Sequence, residues 1–101
     1  MSKEQIKKAI REAIEVDPNK KDILKVALFG SQLYGTPRED SDVDVLIQFR
    51  PNSGIGFFRF FDTQENIEKH VGKKIDLLTP QSLSKYFREE VLAKAETIYE
   101  R

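Results

Sequence analysis

Apolar residues fall along the chain in two rhythms, and the switches between them predict the elements. Ile6, Ala9, Ile10, Ala13 and Ile14 recur every three or four residues, the spacing of one helix face. Ser2 and Gln5 supply the side chains of a capping box at its start, and Asp17-Pro18-Asn19 breaks it. Residues 23–29, Ile-Leu-Lys-Val-Ala-Leu-Phe, are nearly continuous apolar chain ending at Gly30, which fits a buried strand. Residues 31–41 are polar and rich in turn formers. A second strand, Val-Asp-Val-Leu-Ile-Gln-Phe, follows at 43–49, and Pro51, Asn52, Ser53, Gly54 and Gly56 mark a loop.

Phe57, Phe60, Phe61, Gln64, Ile67 and Val71 return to helical spacing, which predicts a helix over roughly 57–71 with Gly72 as its stop. Phe57, Phe60 and Phe61 are expected in the core, whereas Phe58 falls off the stripe and is expected at the surface. A short strand is expected at about 74–78. Thr79-Pro80 reads as cap and first turn of a last helix that buries Leu83, Phe87, Val91 and Ala95. Thr97-Ile98-Tyr99 reads as a short fourth strand. Interleaved elements of this kind imply the α/β (α+β) class: a small mixed sheet flanked by helices, in one domain spanning residues 1–101.

Composition narrows the function. At 39% apolar and 34% charged, the chain reads as soluble and globular, and 101 residues build only a thin core. Any function needing an enclosed cleft would borrow a wall from a partner. Seventeen basic residues balance seventeen acidic ones, so strong nucleic-acid binding is not expected. The absence of cysteine excludes thiolate metal sites, and no run suits a membrane span or a leader, so the expected location is cytoplasmic.

The chemistry gathers around three aspartates. Asp42 and Asp44 are two residues apart at the start of the second strand, so both carboxylates face the same way. Asp76 lies between Ile75 and Leu77, where a charge is costly unless compensated. Carboxylates about 4 Å apart repel by on the order of 4 kcal/mol at an effective dielectric near 20. A divalent cation relieves that cost, and open oxygen sites suit Mg²⁺ with substrate phosphates. Upstream, Gly30 permits a sharp turn, and Ser31 suits the cap of a short helix whose amides favour phosphate. Together these features point to phosphoryl or nucleotidyl transfer.

Gly30-Ser31, ten residues, then Asp42-Val43-Asp44 resembles the signature of the polymerase-beta-like nucleotidyltransferases. The stretch LFGSQLYGTPREDSDVDVLIQF, with KKIDLLTP and LSKYFREEVLAKAETIYE, is similar to the minimal MNT-type members. The resemblance implies catalytic and metal-binding roles for Asp42, Asp44 and Asp76, with two Mg²⁺ ions, and nucleotide binding by Gly30 and Ser31. It implies ATP as substrate and a HEPN-domain toxin as partner, with AMP placed on a toxin tyrosine. Tyr34 stands where such members often carry arginine before the glycine equivalent to Gly35, and Arg38 is the candidate substitute for that phosphate contact.

Other readings remain beside this one. Asp40, Asp42 and Asp44 have the opening spacing of a calcium loop, but Val45 and Pro51 occupy its glycine and glutamate positions. Lys73 and Lys74 suit phosphate, or simply a solvated strand edge, and His70 reads as a surface residue. The rival functions are a non-catalytic antitoxin acting by contact alone and a small-molecule nucleotidyltransferase completed by a second subunit or by its own copy in a homo-oligomer.

Overall fold

The computed structural model describes residues 2–30 and 42–101. Helix α1 (Lys3–Glu15) opens with the expected capping box: the Ser2 hydroxyl accepts from the Gln5 amide, and the Gln5 side chain accepts from the Ser2 amide. A 3₁₀ turn, Lys20–Asp22, leads into β1 (Ile23–Phe29). Then follow β2 (Val43–Phe49), α2 (Phe57–Val71), β3 (Ile75–Leu78), α3 (Arg88–Lys94) and β4 (Glu96–Glu100). Among the described residues the strands form one mixed sheet in the order β3-β2-β1-β4. β1 runs antiparallel to both neighbours, and β2 pairs in parallel with β3. The architecture is the expected α+β one.

The parallel pair needs a crossover, and α2 supplies it. Gly72 ends that helix in the left-handed conformation (φ 75°), where a side chain would be strained. α1 and α2 cover one sheet face. Ile6, Ile10 and Ile14 of α1 and Ile67 of α2 meet Val26, Leu28, Val43, Val45, Ile47 and Ile75 in a fully buried layer. Each such side chain contributes about 1.5–3 kcal/mol by leaving water. The opposite face carries Lys25, Ala27, Leu46 and Gln48, which share a small hollow with Leu92 and Ala95 beside α3.

Two expectations about apolar residues fail. Phe57 is 70% and Phe61 41% exposed, because the buried stripe of α2 begins later, at Thr63, Ile67 and Val71. Only Phe60 turns inward, edge-on to Phe49 with ring centroids 6.2 Å apart; Phe58 is exposed, as expected. Similarly, no continuous helix follows Pro80. A 3₁₀ turn, Pro80–Ser82, is closed by the Thr79/Ser82 capping box, and the helix starts only at Arg88. The Arg88 guanidinium accounts for the interruption, since it donates to the carbonyls of Pro80 (2.8 Å) and Leu83 (3.1 Å). Phe87 is consequently 61% exposed, while Leu83, Val91 and Ala95 are only half-buried. The fourth strand forms as expected.

A buried polar cluster fixes the α1–β1 turn against α2. The Asp17 carboxylate accepts from the Asn19 amide (2.8 Å), Thr63 Oγ1 (2.9 Å) and Asn66 Nδ2 (2.8 Å). Asn19 donates from Nδ2 to the Arg59 carbonyl and to Thr63 Oγ1, and its Oδ1 accepts from Arg59 Nε. Arg59 also pairs with Asp22 at 2.9 Å. The residues that read only as a helix break are thus the hub of the helix-to-helix contact.

At the other edge, Glu96 of β4 meets Lys7 at 2.7 Å and Lys3 at 3.0 Å. The hydrogen bond from Lys7, then that from Lys3, holds its carboxyl below the ordinary glutamate value. A lowered folded-state pKa adds stability that is complete above the ordinary value and vanishes as pH falls through the lowered one.

Two outcomes follow. Asp17→Ala orphans several buried donors and is expected to destabilise the chain by about 2–3 kcal/mol, read from urea unfolding. Glu96→Gln is expected to cost under about 1 kcal/mol at neutral pH. Unfolding curves of the variant and the parent should converge once the pH lies well below the ordinary glutamate range.

Candidate active site

Both candidate carboxylate-bearing strands begin at the same end of the sheet. Asp44 is the second residue of β2 and Asp76 the second of β3, and the parallel register makes them direct Cα partners. Neighbouring strands lie about 4.8 Å apart, and partnered residues present side chains to the same face. The alternation that buries Val43, Val45, Ile75 and Leu77 beneath the helices turns Asp44 and Asp76 to the opposite side. Asp44 is half-buried; Asp76 is exposed. Asp42 is exposed one residue ahead of β2, at the position that shares Asp44's side by strand alternation.

Gly30 completes the corner. Asp44 is also the Cα partner of Phe29, the last residue of β1, so its carboxylate stands beside Gly30. Gly30 has φ 79°, and a Cβ built there would lie 2.1 Å from Asp44 Oδ2. The carboxylate therefore rests in the space that the missing side chain leaves. The glycine is needed twice over, for its backbone angle and for that approach. Ser31 and Arg38, together with Tyr34, Gly35 and Asp40, lie outside the described residues.

The site's edge is tied down from α2. Glu68 Oε2 accepts from the Ile75 amide at 2.9 Å, and Val43 donates to the Lys74 carbonyl at 3.0 Å. These two bonds bracket the start of β3, immediately before Asp76, and hold its register against Asp44. No sequence signal marks Glu68, which reads as one more charge on a solvated helix. His70 lies at the surface, its Nδ1 2.9 Å from the Asn66 carbonyl oxygen within the same helix.

The donor set is one that a hard divalent cation such as Mg²⁺ accepts. Two carboxylates on adjacent strands, one of them open to solvent, suit an ion that takes one or two carboxylates and completes its shell with water and phosphate. Among the described residues no three acidic, histidine or cysteine side chains gather into a ready cage. The geometry thus brings Asp44 and Asp76 together without closing Asp42 onto them. β2 follows Asp42 directly, where a calcium-binding helix–loop–helix would require a helix.

The chain is similar to known nucleotidyltransferases in sequence and in fold. The family model described as "Polymerase beta, Nucleotidyltransferase" matches residues 5–101. A candidate protein adenylyltransferase of Methanocaldococcus jannaschii is 33% identical over 79 residues, covering 78% of this chain and 79% of its own. The solved structure of a candidate minimal nucleotidyltransferase superposes with a TM-score of 0.76 at 30% identity, covering 94% of each chain. One chain of the solved complex of a tri-AMPylated Shewanella oneidensis HEPN toxin with MNT antitoxin shares the fold, at a TM-score of 0.67 and 13% identity over 98% of this chain and 73% of that one.

Gly30→Ala tests the corner. The left-handed angle alone costs about 1–2 kcal/mol for a residue with a side chain. The new methyl group would in addition displace the Asp44 carboxylate. The expected result is a lower urea midpoint together with weaker Mg²⁺ binding, measured by titration calorimetry.

Proposed function

The chain belongs to the polymerase-beta nucleotidyltransferase family, and on that footing we propose that it is a protein adenylyltransferase. It uses two Mg²⁺ ions to move AMP from ATP onto a tyrosine hydroxyl of a HEPN-domain toxin, and so serves as that toxin's antitoxin. The observation carrying this reading is the in-register placement of Asp44 beside Asp76, with the bare backbone of Gly30 against Asp44. A relative of 33% identity bears the adenylyltransferase name, and a fold neighbour was solved with an AMPylated HEPN toxin.

The acceptor oxygen attacks the α-phosphorus, the bond from that phosphorus to the bridging oxygen breaks, and pyrophosphate leaves with the bonding electrons. Asp76 is exposed and stands next to Asp44, so it accepts the acceptor hydroxyl's proton as the new bond forms. Asp42, Asp44 and Asp76 are the groups that would hold Mg²⁺. Once bound, the metal would neutralise charge on the phosphates and polarise the reacting phosphorus. Gly30 lets the backbone approach the triphosphate, with Ser31 and Arg38 as its further contacts. Exposure of the carboxylate end suits an acceptor delivered on another protein, since no wall among the described residues encloses it. No described helix is long and apolar enough to cross a membrane.

The test combines the chain with Mg²⁺, α-labelled ATP and the product of the adjacent gene, assayed as the HEPN-domain toxin, and follows intact mass. The toxin should gain one or more AMP units on tyrosine. Asp44→Asn and Asp76→Asn should each slow transfer by on the order of 10²–10³-fold while the fold survives. Toxin neutralised equally well by both variants, with no labelled product, would establish contact alone as the mode of action.

A further inference from the structure

Helix α2 opens with four phenylalanines in five residues, and three of them face solvent. Phe57, Phe58 and Phe61 are 70, 83 and 41% exposed. They pack on one another, with ring centroids 4.8 Å apart for Phe57–Phe61 and 5.9 Å for Phe57–Phe58. Their open area equals roughly two whole phenylalanine side chains, about 400 Å². The surface continues into an open hollow of about 460 Å³ lined by Ile55, Phe57, Phe60, Leu77, Leu78 and Thr79. Asp62 and Glu65, further along the helix, are exposed, and neither forms an ion pair among the described residues.

The rings lie away from the carboxylates, although the hollow they border reaches Leu77, the chain neighbour of Asp76. β2 runs five residues from Asp44 to its end at Phe49, about 17 Å, before the chain turns into α2. The Phe57 end of α2 therefore stands at the opposite end of the sheet from Asp44 and Asp76. Nothing in the transfer chemistry calls for aromatic rings there.

We infer that the patch is the docking surface for the protein acceptor, an inference that rests on the protein-modifying reading above. The partner presents an apolar groove for Phe57, Phe58 and Phe61, bordered by lysine or arginine that meets Asp62 and Glu65. Two unmatched carboxylates argue against an anionic membrane or nucleic acid as occupant. A second copy docked about a two-fold axis would set the same carboxylates of both chains near one another. A 400 Å² patch is also about half of what one partner contributes to a standard interface, near 800 Å². An interface of that size is roughly 30 Å across, and because α2 covers the face opposite Asp44 and Asp76, a partner seated on the rings reaches the carboxylates by rounding the β3 edge of the sheet. The arrangement gives a domain whose described residues raise no wall around the carboxylates a grip on its substrate remote from the chemistry.

The experiment titrates the full chain with the product of the adjacent gene, assayed as the HEPN-domain toxin, by calorimetry, alongside sedimentation of the chain alone. Phe58→Ser combined with Phe61→Ser should raise Kd at least tenfold. Asp62→Lys combined with Glu65→Lys should weaken binding and flatten its salt dependence. Val16→Ser, a change at another exposed apolar residue (67%), should leave Kd unchanged. Circular dichroism on every variant separates lost contact from lost folding. In single-turnover transfer, the double serine variant should need at least tenfold more toxin for half-maximal rate yet keep its saturated rate.

Undiminished binding by the folded double serine variant would overturn the docking surface and leave the adenylyltransferase reading standing. A dimer of the chain that the serine changes dissolve would overturn it in favour of a second copy. Absence of any complex with the unaltered chain would remove the toxin partner and the docking surface together. Tight complex formation without transfer would refute the catalytic reading alone.

Discussion

The parallel pairing of β2 with β3 is the constraint on which the rest depends. It sets two carboxylates of separate chain segments side by side on an outer sheet face, an arrangement that like charges resist. Strand hydrogen bonds, the burial of Val43, Val45, Ile75 and Leu77 on the reverse face, and the Glu68 bond to the Ile75 amide oppose that resistance. Because β3 has four residues and lies at the sheet edge, it has little pairing of its own to hold register. Its position is inherited from α2, the crossover that packs it in place.

α2 is in turn held by polar as well as apolar contacts. Its buried stripe opens with Thr63, ahead of Ile67 and Val71, and that hydroxyl both donates to Asp17 and accepts from Asn19. Hydrogen bonds are directional where packing is not, so this cluster fixes how far α2 can rotate or slide against α1. Rotation of α2 would carry Glu68, and with it the edge strand bearing Asp76. The polar cluster and the candidate site thus lie on one mechanical line, although they share no residue.

The balance of seventeen acidic and seventeen basic residues conceals an uneven surface. Acidic groups stand exposed at the start of β2 and β3, and aromatic rings stand exposed at the other end of α2. The first end suits a metal and phosphates; the second suits an apolar surface. A domain too small to enclose its substrates can separate gripping from chemistry in this way, with the rigid sheet spanning the distance between them.

Local rhythm alone determined a good part of this protein. The apolar runs at 23–29 and 43–49, the stripe of α1 and the reach of α2 to Gly72 all follow from spacing and turn chemistry within a few residues. The alternation that turns Asp44 away from Val43 and Val45 was legible for the same reason. The partnership of Asp44 with Asp76 was legible only through family resemblance, because strand order is set by packing between segments over thirty residues apart. Periodicity names a face but not what covers it, so Phe57, Phe61 and Phe87 read as core and proved exposed. The carbonyls captured by Arg88, the Glu68 tether and the hub at Asp17 are likewise tertiary decisions. Each depends on a side chain meeting a backbone or side-chain group that only the assembled fold brings within reach.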